Sequence, residues 1–162
     1  MHSNNQAHEA DLSQVASHFE FLNLGIQHEY PLVLSPKGDQ MDLSTALFEK
    51  SSEVEGLLNK FGAILFRGFN LNSPKQFKDL VSKYKLSSMS YSERTSPRTE
   101  VIDKIYTSTD YPPDQIINMH NESSYSSAWP KQIMFYCNTP SITGGETPLA
   151  DSRFILSLLS ER

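Results

Sequence analysis

Ile116-Ile117-Asn118-Met119-His120-Asn121-Glu122 is the stretch on which the reading of this chain turns. It reads as a strand. Ser123 to Pro130 reads as a connection, and Gln132 to Asn138, with Ile133, Phe135 and Tyr136, reads as a second strand. Thr139 to Thr147 follows as a Pro- and Gly-containing loop whose Gly144-Gly145 pair allows a sharp reversal. Beyond it, Asp151 or Ser152 can cap a last helix carrying Phe154, Ile155, Leu158 and Leu159.

Working back toward the N-terminus, residues 85 to 115 are rich in Ser, Thr, Pro and charge, with one strand-like run from Val101 to Tyr106. A segment of this kind is either a functional lid or a variable surface insertion. Ser73, Pro74 and Gln76 form the clearest helix start in the chain, and Phe77, Leu80, Val81 and Tyr84 give that helix one apolar stripe. Gly62 to Phe69 predicts a buried strand. Leu43, Leu47, Val54, Leu57, Leu58 and Phe61 recur at helical spacing and predict two short helices, or one broken helix, over 42–60, with Ser52 and Glu55 as a capping box in the middle. Pro31 to Leu34 predicts a short strand ending in the turn cluster Ser35-Pro36-Lys37-Gly38. Residues 1–28 read as a polar lead-in, mobile or lightly docked, ahead of a domain over 29–162. The expected fold class is α+β, mainly β.

The bulk properties exclude several functions. The 162 residues are 38% hydrophobic, 10% aromatic and 20% charged, enough for a real core. A net charge of -5 and a pI near 5.5 argue against nucleic acid and anionic membrane surfaces as partners. With Cys137 as the only cysteine, an internal disulfide is impossible and a cysteine zinc site is not expected. No run of eighteen apolar residues exists, and the first thirty residues lack the basic start and apolar middle of a secretion signal. The expectation is a soluble, cytoplasmic protein.

In a strand, residues two apart point to one face, so His120 and Glu122 would project side by side, with Asn118 beside them. An imidazole and a carboxylate presented together suit a divalent first-row metal. One further histidine would complete the 2-His-1-carboxylate triad of non-haem iron(II) oxygenases, which leaves coordination positions open. A second triplet of the same pattern, His18-Phe19-Glu20, lacks the following strand and Gly-Gly loop and is not read as a site. Thr147, just after the Gly-Gly turn, could aim its hydroxyl at a carboxylate in a pocket. Alone, Gly144-Gly145-Glu146-Thr147 is also what an ordinary tight turn looks like.

Taken in order, Asn118-Met119-His120-Asn121-Glu122-Ser123-Ser124-Tyr125, Trp129-Pro130, Phe135-Tyr136-Cys137 and Gly144 to Arg153 resemble the taurine-dioxygenase (TauD/TfdA) family, most closely its clavaminate-synthase-like and SyrP-like branch. The resemblance runs from about residue 30 to the end. It implies a double-stranded β-helix, or jelly roll, with flanking helices, present here in part with its C-terminal strands missing. It implies an Fe(II)- and 2-oxoglutarate-dependent dioxygenase that oxidises a small, amino-acid-derived substrate with dioxygen, typically by hydroxylation. His120 and Glu122 match the first histidine and the carboxylate of the iron site, Thr147 the threonine that binds 2-oxoglutarate, and Asn118 falls near positions that face substrate.

The family's second iron histidine and the arginine that pairs with 2-oxoglutarate have no counterpart. No histidine follows His120, and Arg153 and Arg162, the only later arginines, stand in other contexts. Two readings stay open. One is an enzyme of this family seen in part. The other is a truncated, non-catalytic module of the same fold that binds a partner, self-associates or is completed by a second chain.

Overall fold

The computed structural model describes residues 12–22, 30–84, 97–108, 110, 112 and 114–160. They fall into two units, one formed by residues 1–71 with 149–162 and one by 72–148.

In the first unit the sheet is built around β2 (Leu32–Pro36), with β1 (Phe19–Phe21) antiparallel on one side and β3 (Ile64–Phe66) parallel on the other. Leu32, Val33 and Leu34 are all buried, so β2 is covered on both faces. That is the expected state of a central strand and explains why its sequence is continuously apolar rather than alternating. The parallel β2–β3 pairing requires a crossover. Helices α1 (Leu43–Glu49) and α2 (Ser51–Phe61) supply it, burying Leu43, Ala46 and Leu47 from one and Val54, Leu57 and Phe61 from the other. Fully burying each of these side chains other than Ala46 contributes about 1.5–3 kcal/mol.

Local chemistry sets the helix ends. Asp42 caps α1 by accepting from the Thr45 amide at 2.9 Å. Lys50 alone separates the two helices, and Gly62 ends α2 in the left-handed conformation, φ 80°. The expected Ser52–Glu55 box is not there, because α2 already begins at Ser51 and Ser52 lies inside it. β3 is shorter and more open than the expected buried strand over 62–69. It is an edge strand, with Leu65 exposed. The docked part of the polar N-terminal segment contributes Val15 and Phe19 to the core, and Phe19, Phe66 and Phe69 meet in tilted and edge-on ring pairs 5.8–6.3 Å apart. Helix α4 (Ser152–Ser160) completes this unit, with Phe154, Ile155, Leu156, Leu158 and Leu159 exposed.

The second unit opens with α3 (Pro74–Lys83). Ser73 accepts from the Gln76 amide at 3.2 Å, while the Gln76 side chain accepts from the Asn72 amide at 2.7 Å, so the reciprocal cap reaches one residue further back than the simplest box. Phe77, Leu80 and Val81 form its buried face. The expected single strand over 101–106 is instead a hairpin of β4 (Glu100–Ile102) and β5 (Ile105–Tyr106). Asp103 and Lys104 take positive φ at its tip, as a two-residue hairpin turn demands. Lys78 of α3 pairs with Asp103 at 2.7 Å.

The two strands expected over 116–122 and 132–138 do not appear. Both segments lie outside any ladder among the described residues. A strand is defined by a second backbone that takes its hydrogen bonds, and no described segment forms a ladder with either one. The pleat period nevertheless survives from 132 to 137. Gln132, Met134 and Tyr136 are half-buried, whereas Ile133, Phe135 and Cys137 are exposed. Tyr136 stacks on Phe77 with centroids 5.5 Å apart. Trp129 is exposed, and so is the single cysteine, Cys137. The class is therefore α+β, with more helix than strand among the described residues, so "mainly β" does not describe them.

Candidate functional site

His120 and Glu122 come together without a strand beneath them. The imidazole Nε2 and the carboxylate Oε2 are 3.6 Å apart. The ring's other nitrogen, Nδ1, lies 2.8 Å from the carbonyl oxygen of Asn118. A carbonyl only accepts, so Nδ1 carries a hydrogen, and Nε2 is the ring nitrogen turned toward Glu122. A backbone carbonyl holding the distal N–H is the usual device that fixes a metal-binding imidazole in one tautomer. Asn118, expected near positions that face substrate, holds the imidazole through its main-chain oxygen.

Glu122 is also held from its other side. Oε1 accepts from Nη2 of Arg98 at 2.7 Å, and the Arg98 and Glu122 side chains are only 14% and 24% exposed. His120, at 56%, is open to solvent. The site thus has a walled carboxylate and an accessible imidazole. Arg98 carried no signal in the sequence, where it sits in a polar stretch 24 residues from its partner.

These donors fit two positions of a divalent first-row ion. An ion bonded to both atoms at about 2.1 Å, with a right angle between them, places nitrogen and oxygen about 3.0 Å apart. The observed 3.6 Å is within a small side-chain rotation of that. No group of three or more His, Cys, Asp or Glu suited to a metal occurs among the described residues. Thr147 follows Gly144 and Gly145, which take φ of 67° and 80° as the expected turn requires. It is exposed, and its hydroxyl is not hydrogen-bonded to His120 or Glu122.

The other H-x-E triplet is engaged differently. His18 binds Glu49 of α1 through Nε2 at 2.6 Å and Ser17 through Nδ1 at 2.7 Å, while the intervening Phe19 enters the core. Both imidazole nitrogens are spent on structural contacts, and Glu20 is not among them.

An imidazole beside a carboxylate, two residues apart, is the donor pair of mononuclear non-haem metal oxygenases. The comparison with known proteins gives the same class. The chain belongs to the taurine catabolism dioxygenase TauD, TfdA family, whose model matches residues 29–162. It is 38% identical over 120 residues to the dapdiamide synthesis protein DdaC of Enterobacter agglomerans, covering 74% of this chain and 36% of that protein. It is 32% identical over 141 residues to a clavaminate synthase-like protein of Arabidopsis thaliana, covering 82% of this chain and 43% of that one. The chain therefore spans less than half the length of these relatives. No described helix is long and apolar enough to cross a membrane.

Proposed function

We propose that this chain provides part of the active site of an Fe(II)- and 2-oxoglutarate-dependent dioxygenase. Its proposed substrate is a small, amino-acid-derived molecule in a biosynthetic pathway. The reading is carried by one observation, His120 Nε2 facing Glu122 Oε2 with Nδ1 fixed on the Asn118 carbonyl. The family supports the reaction class, and likeness to a dapdiamide synthesis protein supports a biosynthetic setting.

In this reading His120 and Glu122 hold the metal through Nε2 and one carboxylate oxygen, and Thr147 donates its hydroxyl to 2-oxoglutarate. When bound, iron(II) with 2-oxoglutarate and dioxygen supplies the oxidising power to hydroxylate a C–H bond, with release of succinate and carbon dioxide. The Asn118 carbonyl keeps the proton on His120 Nδ1, so Nε2 remains a donor. The third metal ligand and a cation for the distal carboxylate of 2-oxoglutarate come from outside the described residues, in the same protein or in a second chain. Within the family's jelly roll, segments 116–122 and 132–138 would find the ladder partners they lack here.

The second reading, a non-catalytic module completed by a partner, draws on the exposure of Ile116, Trp129, Phe135 and Ile142, large apolar side chains that a partner could cover. Succinate production from 2-oxoglutarate by the intact protein separates the two readings. Production that needs Fe(II) and disappears in His120→Ala supports the dioxygenase. A folded protein that turns over no 2-oxoglutarate with any amino-acid-derived substrate supports the module.

A further inference from the structure

We infer that Arg98 is a positioning residue that makes Glu122 a one-oxygen metal ligand, an assignment that rests on His120 and Glu122 being the metal site proposed above. The carboxylate has two oxygens, and the structure gives them different tasks. Oε1 takes the Arg98 guanidinium at 2.7 Å, and Oε2 is the oxygen turned toward His120 Nε2. A charge-assisted bond at this distance is strong and directional. A carboxylate free to swing could give a metal both oxygens and fill one more coordination position, which a site that must also take a bidentate cosubstrate and dioxygen needs to keep open.

Arg98 is itself anchored. The Pro97 carbonyl accepts from the Asp110 amide at 3.0 Å, and the Thr99 carbonyl accepts from the Thr107 amide at 2.9 Å. The Thr99 amide donates to the Thr107 hydroxyl at 2.9 Å, and the Thr99 hydroxyl to Asp110 Oδ2 at 2.7 Å. Residues 97 and 99 are thus stapled on both sides of Arg98 to the far side of the β4–β5 hairpin. A nearby positive charge also repels a cation, so the sign of the effect has to be decided. Geometry decides it. With the pair formed, Oε2 already lies within roughly 0.6 Å of the separation from Nε2 that a shared ion needs. Arg98 therefore holds the carboxylate at the site rather than drawing it off, and its charge sits behind the oxygen that does not face the metal.

The test is cobalt(II) binding to the intact, metal-free protein, read by titration calorimetry and by the visible ligand-field spectrum, for wild type, Arg98→Ala, Arg98→Lys, His120→Ala, Glu122→Ala, and Arg98→Ala combined with Glu122→Ala. Loss of an outer contact of this kind typically weakens metal affinity about 10- to 100-fold. That loss is expected for Arg98→Ala, with a changed spectrum as Glu122 contributes a second oxygen. Lysine keeps the charge but not the fork, so it should restore part of the affinity. In the Glu122→Ala background the Arg98 substitution should cost nothing further. If Arg98→Ala does not fold, the lysine variant carries the test through its spectrum. Wild-type affinity and spectrum in a folded Arg98 variant, with binding lost in His120→Ala, would overturn the role of Arg98 and leave the metal site standing. Unchanged binding in His120→Ala would overturn the metal site itself, and the inference with it.

Discussion

Arg153 closes its guanidinium on the carboxylate of Asp151, with Nε 3.0 Å from Oδ1 and Nη2 2.7 Å from Oδ2, and the same group donates to the Asn59 carbonyl at 2.8 Å and the Lys60 carbonyl at 3.3 Å. Two functions meet in one residue pair. Asp151 also accepts from the Arg153 amide at 2.9 Å, which makes it the cap of α4. Arg153 satisfies carbonyls at the C-terminal end of α2, where a cation is favoured by the helix dipole. The sequence suggested only the cap.

This pair predicts an acid-side stability dependence. The hydrogen bond from Arg153 holds the Asp151 carboxyl below the usual carboxylate range. The folded value is therefore lower than the unfolded value of about 3.9. The stabilisation is fully present above that value and is lost as pH falls through the lower, folded one. Asp151→Asn keeps a capping oxygen but not the charge, so its stability should vary less with pH below about 4. Thermal denaturation of both proteins across pH 2 to 6 checks this, and parallel curves would contradict it.

Gly62 ends α2 at φ 80°, and a Cβ there would stand 2.7 Å from Arg153 Nη2. The guanidinium is the far end of a flexible side chain and can give way, at the loss of its contacts to α2. The backbone cannot. Gly62→Ala should cost about 1–2 kcal/mol from the left-handed conformation alone, read from denaturant midpoints. A midpoint equal to wild type would mean that α2 ends differently.

Leu34 is buried at the centre of the three-stranded sheet, between Phe21 of β1 and Phe66 of β3. Leu34→Ala should destabilise by about 2–5 kcal/mol. A change of only a few tenths in equilibrium unfolding would show that the core is not organised around β2.

How much of this could be read in the sequence follows from how local each feature is. The start of α3 was legible because Ser73, Pro74 and Gln76 act within one turn. The break between α1 and α2 was legible only as two short helices or one broken helix over 42–60, with the second start placed at Ser52 rather than at Lys50. The strand-like reading of 116–122 and 132–138 was not met, because pairing is a property of two segments and neither forms a ladder among the described residues. Val101 to Tyr106 became a hairpin because Asp103 and Lys104 accepted positive φ, which Lys does not advertise. At the site, His120 and Glu122 were legible as neighbours two residues apart. Arg98 was not, since nothing in Pro97-Arg98-Thr99 points 24 residues ahead. Val15 and Phe19 were hidden by the polar residues around them.

The two H-x-E triplets give a paired control. His18→Ala removes the contact to Glu49 and should lower thermal stability slightly while leaving metal affinity unchanged. A metal-binding defect in His18→Ala comparable to that of His120→Ala would mean that the wrong triplet has been assigned.

Thr147→Ala should raise the 2-oxoglutarate concentration needed for half-maximal turnover more than it alters iron affinity. An unchanged requirement would reduce Thr147 to a residue of the Gly144-Gly145 turn.

The central claim is that His120 and Glu122 hold iron(II) together with 2-oxoglutarate. It is tested most directly by adding Fe(II) to the intact protein without oxygen, in the presence of 2-oxoglutarate, and following the visible metal-to-ligand charge-transfer absorption. The expected result is a saturable band in wild type, absent without 2-oxoglutarate and lost in His120→Ala and Glu122→Ala at concentrations where both variants remain folded. The same band at the same midpoint in those variants would contradict the assignment of the site.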